Sequence, residues 1–264
     1  MNYTILSMKQ SELLERLLVK HGQIVTFQDI FAEAKDSWDY QQAKNLITKL
    51  VKNGWLIRIK RGLYAISDLS NRGFLSLSFY TVAGLLVEDS YVSFESALQY
   101  HGMFDQLTGK TISMSLKKFK TARLNNMEYN FIQTKKNLFF GWQETIIDGK
   151  TVRIATAEKA LLDIINFHKS KYAIDLVVEK VKEHRYDLDL TRLVEYLTEY
   201  SEATIKIFGF IFDLLNIDSS SIYRLAENSI KTKYSTHRML AGDKKFNAKW
   251  RLYYDKHFDK YRSV

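Results

Sequence analysis

The stretch "WDYQQAKNLITKLVKNGWLIRIKRGLYAI", residues 38–66, decides how the N-terminal part of this chain folds. At about 100° per residue its first half reads as an amphipathic helix. Ala43, Leu46, Ile47 and Leu50 fall on one face. Trp38, Gln41, Asn45, Thr48 and Lys52 fall on the other, at spacings of 3, 4, 3 and 4. Asn53-Gly54 is a usual helix end. The second half has two short runs of β-branched and aromatic residues flanking Lys60-Arg61-Gly62. A glycine at the position that needs positive φ closes such runs into a hairpin with a bulge.

Upstream of this stretch, Leu13, Leu14, Leu17 and Leu18 predict a helix over 7–22 that stops at Gly22. Thr26 can cap a short helix over 27–34, and Asp36 or Ser37 can cap the third, 38–53. Three helices followed by a hairpin form a winged helix-turn-helix pattern, in which the third helix enters the major groove. Gln and Asn pair bidentately with adenine, and Lys meets guanine or phosphate. Lys44 and Lys49 flank the polar face, within reach of phosphates. Arg58, Lys60 and Arg61 stand at or near the hairpin tip, suited to phosphates or a narrow minor groove. The expected double-stranded DNA contacts are therefore Trp38, Gln41, Lys44, Asn45, Thr48, Lys49, Lys52, Arg58, Lys60 and Arg61.

Downstream, "DLSNRG" (68–73) reads as a linker. A helix over 74–87 follows, then "YVSFESALQYHG" (91–102) and strand-like runs at 111–116, 127–134, 143–147 and 151–155. Asp148-Gly149 between the last two is a hairpin signal. "TAEKALLDIINF" (156–167) is amphipathic, and the remainder reads mostly helical. The expected class is α+β in three parts: a winged helix-turn-helix (1–67), a mixed α/β unit (74–168) and a mainly helical, basic C-terminal region (169–264).

Composition narrows the function. The 264 residues carry a net charge of +9, distributed as +4 over 1–72, −1 over 73–224 and +6 over 225–264. Basic ends suggest a polyanion partner. Cysteine is absent, which excludes disulfides, thiolate nucleophiles and Cys-ligated metals. Proline is absent too, so turns fall to Gly, Asn, Asp and Ser. The N-terminus lacks a signal-peptide pattern. The most apolar run, "ATIKIFGFIFDLL" (203–215), is broken by Lys206 and Asp213 and falls short of the about 20 residues a span needs. A cytoplasmic protein is expected, with that run as core or a dimer face.

Catalytic readings fare less well. Ser93, Glu95, Ser96 and His101 look like hydrolase parts. Helical spacing instead makes Ser93 an N-cap, puts Phe94, Ala97, Leu98 and His101 on one stripe, and makes Gly102 a stop. No G-x-S-x-G elbow exists. "LTGKT" (107–111) lacks the first P-loop glycine, since Phe104 stands there. The six histidines show no ligand spacing. Glu144, Asp148 and Lys150 are the nearest approach to a nuclease core. No enzymatic activity, cofactor or metal is expected. In the C-terminal region Tyr234, Trp250, Tyr253 and Tyr254 among Lys and Arg are read as packing on the preceding helices.

"NGWLIRIKRGLYAI" (53–66) after a helical triplet resembles the N-terminal domain of AbiEi-type antitoxins. "YVSFESALQYHG" and "IATAEKALLDII" (154–165) resemble two further segments of that family, in its order and spacing. The resemblance covers roughly residues 5–168. It implies a type IV toxin–antitoxin or abortive-infection (phage defence) regulator that represses its own operon by binding promoter repeats. It also implies a nucleotidyltransferase-type toxin encoded next door, countered without a stable complex. The first component of AbiG systems looks similar. The alternatives are an antitoxin that holds its toxin directly and a metal-dependent nuclease.

Overall fold

The computed structural model describes residues 6–68, 72–106, 108–168, 170–232, 235–236 and 243–262. The chain begins with α1 (Met8–His21), β1 (Ile24–Thr26), α2 (Phe27–Ala34), α3 (Tyr40–Lys52), β2 (Leu56–Lys60) and β3 (Leu63–Ile66). Thr26 caps α2 by accepting from Asp29 N, and Asp29 reaches back to Thr26 N at 2.8 Å. Asp39, rather than Asp36 or Ser37, caps α3 by accepting from Gln42 N at 2.7 Å. Such reciprocal bonds satisfy the free amides of a helix start. The third helix therefore begins two residues later than its hydrophobic pattern suggested, and Trp38 lies outside it.

The strands form an antiparallel sheet in the order β1-β3-β2, with a bulge between Arg58 and Lys60 and Gly62 at φ +78° in the tip. Both faces of this small sheet are used. Val25, Leu56, Tyr64 and Ile66 pack with Leu13, Leu17, Ile30, Leu46, Ile47 and Leu50 of the helices. Ile59 and Ala65 join the core of the rest of the molecule.

The middle of the chain contributes α4 (Phe79–Leu86), β4 (Ser90–Val92), α5 (Phe94–Tyr100), β5 (Lys110–Ser115), β6 (Ala122–Leu124), β7 (Met127–Gln133), β8 (Trp142–Ile147), β9 (Lys150–Ala155) and α6 (Ala157–Phe167). Its helix starts at Phe79, capped by Ser78, not at Phe74. The six strands form one mixed sheet in the order β6-β7-β5-β4-β9-β8. Two of them, β4 and β6, have only three residues each and were not foreseen. The β8–β9 turn does use Asp148 and Gly149, both at positive φ.

After α6 come α7 (Lys171–Glu183), α8 (Leu190–Leu197), α9 (Glu202–Leu214) and α10 (Ser220–Thr232). The apolar 203–215 run is core, since residues 204–212 of α9 are all buried. The C-terminal region is not helical throughout. β10 (Ser235–Thr236), β11 (Lys244–Asn247) and β12 (Leu252–Asp255) make a small sheet in the order β10-β12-β11. Trp250 lies against α9 at Gly209, where any Cβ would stand 2.1 Å from the indole. Trp250 and Tyr254 are buried and Tyr253 is partly exposed, while Tyr234 lies outside the described residues. Among the described residues no helix is long and apolar enough to cross a membrane.

Candidate nucleic-acid interface

The apolar stripe of α3 is buried as its spacing requires, which turns the opposite face outward. Gln41, Lys44, Asn45, Thr48, Lys49 and Lys52 are all exposed. Gln41 Nε2 donates to Asn45 Oδ1 at 3.3 Å, so the two amides share an orientation one turn apart. Thr48 turns its hydroxyl back to the Lys44 carbonyl at 2.9 Å.

The hairpin leans against the start of α2, where Phe27 N–H donates to the Gly62 carbonyl at 2.9 Å. Between hairpin and α3 lies an open concavity of about 630 Å³. Lys44 enters it from α3, Arg58 from β2 and Arg61 from the hairpin tip; Gln28, Tyr40, Thr48 and Tyr64 also line it. Arg58 is opposite Tyr64 in the ladder, on the sheet face that meets the helices. Lys44 Nζ sits 4.2 Å from the centre of the Tyr40 ring, an attraction that holds the ammonium at the concavity's edge. Among the described residues no carboxylate lines this space. Three cations with hydroxyl and amide groups on a concave surface suit a phosphate-bearing polymer.

Two expected contacts are placed elsewhere. Trp38 is half-buried against the core of the N-terminal helices, because it precedes the capping residue. Lys60 is turned the other way by the bulge, which pairs it with Leu63 rather than with the face that carries Arg58. Its ammonium lies 3.5 Å from Glu88 of the middle unit. Conversely, Gln28 and Tyr40 line the concavity and were not singled out. Tyr40 stands one turn before Lys44, which is the signal that could have found it.

The remaining sequence candidates are held in structural contacts. β4 and β9 run parallel with Val92 beside Ile154, which brings "YVSFESALQYHG" and "IATAEKALLDII" together. Ser93 occupies the N-cap position of α5, yet its hydroxyl does not cap: it donates to Asp163 Oδ2 at 2.7 Å. Tyr91 reaches the same oxygen at 3.3 Å. Lys159 Nζ contacts Asp163 Oδ1 at 2.5 Å and the Tyr200 hydroxyl at 2.7 Å. Lys159 and Asp163 are both wholly buried. Burial pulls the Lys159 ammonium below the ordinary lysine range, against the attraction of Asp163. Burial beside that carboxylate pushes the Tyr91 and Tyr200 phenols far up. His101 Nε2 lies 2.8 Å from the Ala155 carbonyl, a half-buried structural hydrogen bond.

Of the nuclease-like residues, Glu144 pairs with Arg153 at 3.1 Å and Asp148 accepts from Ser78 N at 2.7 Å. Among the described residues no group of three acidic or histidine side chains is placed to hold a metal ion. Leu107 of the "LTGKT" run lies outside the described residues, and Lys110-Thr111 opens β5.

No curated protein matches the sequence. Among solved structures the chain is similar to the crystal structure of the RV2827C protein from Mycobacterium tuberculosis, at 12% identity and a TM-score of 0.67. The likeness covers 95% of this chain and 92% of that one, and it speaks to fold alone. Residues 12–67, the unit that carries the concavity, match the family model described as transcriptional regulator, AbiEi antitoxin.

Proposed function

We propose that the protein is a DNA-binding repressor whose residues 1–67 act as a winged helix-turn-helix, with α3 as recognition helix and the β2–β3 hairpin as wing. The observation that carries this reading is the carboxylate-free concavity in which Lys44, Arg58 and Arg61 converge beside the exposed amides of Gln41 and Asn45. The three cations seat the DNA backbone, and the amides read bases. With Gln41 Nε2 given to Asn45 Oδ1, the free Gln41 oxygen and Asn45 nitrogen offer one acceptor and one donor, the pair that adenine N6 and N7 require. In this reading the middle part holds the wing from behind, through Ile59, Ala65 and the Lys60–Glu88 pair.

The biological role that fits is the autoregulating antitoxin of a type IV toxin–antitoxin or abortive-infection operon. Such a protein works in the cytoplasm by binding its own promoter, without catalysing a reaction. A nucleotidyltransferase-type toxin is its expected operon neighbour. The test is a gel shift with the promoter fragment and a scrambled fragment of equal length. Wild-type protein favours the promoter. Gln41→Ala with Asn45→Ala narrows that preference, since a good bidentate contact discriminates by about 1–3 kcal/mol. Equal preference in wild type and double variant would reject α3 as the reading element.

A further inference from the structure

Residues 73–224 sum to a net charge of −1, yet the fold gathers five lysines at one end of the six-stranded sheet. β5 and β7 run parallel with Ser115 beside Gln133, so the loops that leave them are neighbours. Thr134 N–H donates to the Ser115 carbonyl at 2.9 Å, and Gln133 Nε2 to the Leu116 carbonyl at 3.2 Å. One loop carries Lys117, Lys118 and Lys120, the other Lys135 and Lys136. All five are exposed and none enters an ion pair among the described residues. The segment 106–143 holds one carboxylate, Glu128, which pairs with Arg123 at 2.9 Å toward the other end of β7.

Two features of this patch go beyond charge. Phe119 interrupts the lysine run and keeps 39% of its surface exposed. It is propped edge-on against Phe131, with ring centres 5.9 Å apart. Beside the second loop opens a groove of about 590 Å³, lined by Lys135, Asn137 and Asn166 among others, and by one carboxylate, Glu199, far from the lysine run in sequence. We infer that this patch binds single-stranded nucleic acid. The lysines meet successive phosphates, Phe119 offers a ring for an unstacked base, and the amides of the groove can meet a base edge. A duplex keeps its bases stacked inside, so it would use the lysines and leave Phe119 and the groove idle. The patch is separate from the α3 concavity and does not depend on that surface binding DNA.

The test uses the full chain with Arg58→Gln and Arg61→Gln in place, so that the α3 surface contributes little. Labelled oligo-dT, oligo-U and a duplex of matched length are titrated by fluorescence anisotropy. The single strands bind more tightly than the duplex, with a log–log salt slope of about −0.7 per phosphate met. Phe119→Ala weakens them by about 5- to 150-fold, the range of one lost base stack. K117Q/K118Q/K120Q flattens the salt slope. These side chains are exposed, and an unchanged melting temperature verifies that the fold is intact. Single-strand affinity indifferent to both sets of changes would overturn the proposal. So would patch-dependent binding in which the duplex matches or exceeds the single strands.

Discussion

Asp163 takes hydrogen bonds from Ser93, Tyr91 and Tyr200 while neutralising Lys159, all inside the core. Removing that carboxylate strands a buried ammonium. Breaking one partner of a buried pair costs about 3–5 kcal/mol, whereas replacing both with apolar side chains is often neutral. Asp163→Ala is therefore expected to lower the denaturant midpoint sharply, and Lys159→Met with Asp163→Leu to recover only part of the loss, because the Ser93, Tyr91 and Tyr200 hydroxyls still lose their acceptor. Equal midpoints for wild type and Asp163→Ala would contradict this role. Gly141 belongs to the same site: at φ +76°, a Cβ there would stand 2.9 Å from Lys159 Cδ. Nothing in the sequence near Gly141 marks this. The N-cap position of Ser93 was legible because it precedes a helical stripe, but its hydroxyl does not cap: its partner lies seventy residues away and only the parallel pairing of β4 and β9 reveals it.

Among the elements, α2 and α3 owe their starts to local side-chain bonds; spacing announced the cap of α2 at Thr26, whereas α3 is capped by Asp39 where Asp36 or Ser37 was expected. Asp29 is held below the usual carboxylate range, first by the Thr26 backbone N–H and then by its hydroxyl. A depressed folded pKa means stabilisation that is present above the unfolded value of about 3.9 and is lost as pH falls through the folded value. The stability gap between wild type and Asp29→Asn is thus expected at neutral pH and should shrink below about pH 4. A gap unchanged down to lower pH would mean the carboxylate does not act through its charge. For α3, Asp39→Ala removes the cap and should cost about 1 kcal/mol in thermal or chemical unfolding. The helical period of 40–52 made its buried and exposed faces readable. The bulge after Arg58 did not announce its direction, so Lys60 was grouped with Arg58 and Arg61 although it faces Glu88. Short strands such as β4 and β6 are set by pairing with distant partners, which no local window contains.

Across the whole molecule, the small N-terminal sheet has helices on one face and the rest of the chain on the other, so the proposed wing is braced from both sides. The C-terminal segment is fastened at Gly209, where the Trp250 indole lies against the α9 backbone and donates to Asp213 at 2.7 Å. Gly209→Ala pushes a methyl into that ring. Overpacking of this kind costs about 1–3 kcal/mol, and more where neither side can yield. The expected result is a lower melting temperature with loss of protection in 244–255 by hydrogen exchange. Unchanged exchange there would show that the segment docks by other contacts. Charge summed over long stretches hid the lysine patch, because the acids that cancel it lie elsewhere in the fold.

The central claim is that the concavity between α3 and the hairpin seats the backbone of double-stranded DNA. The most direct measurement is the salt dependence of promoter binding by wild type and by Arg58→Gln/Arg61→Gln. Each phosphate neutralised contributes about −0.9 to the log–log slope. The claim predicts that the double variant binds promoter and unrelated duplex more weakly by similar factors, with a slope shallower by about 2. The same slope and affinity in both proteins would contradict it.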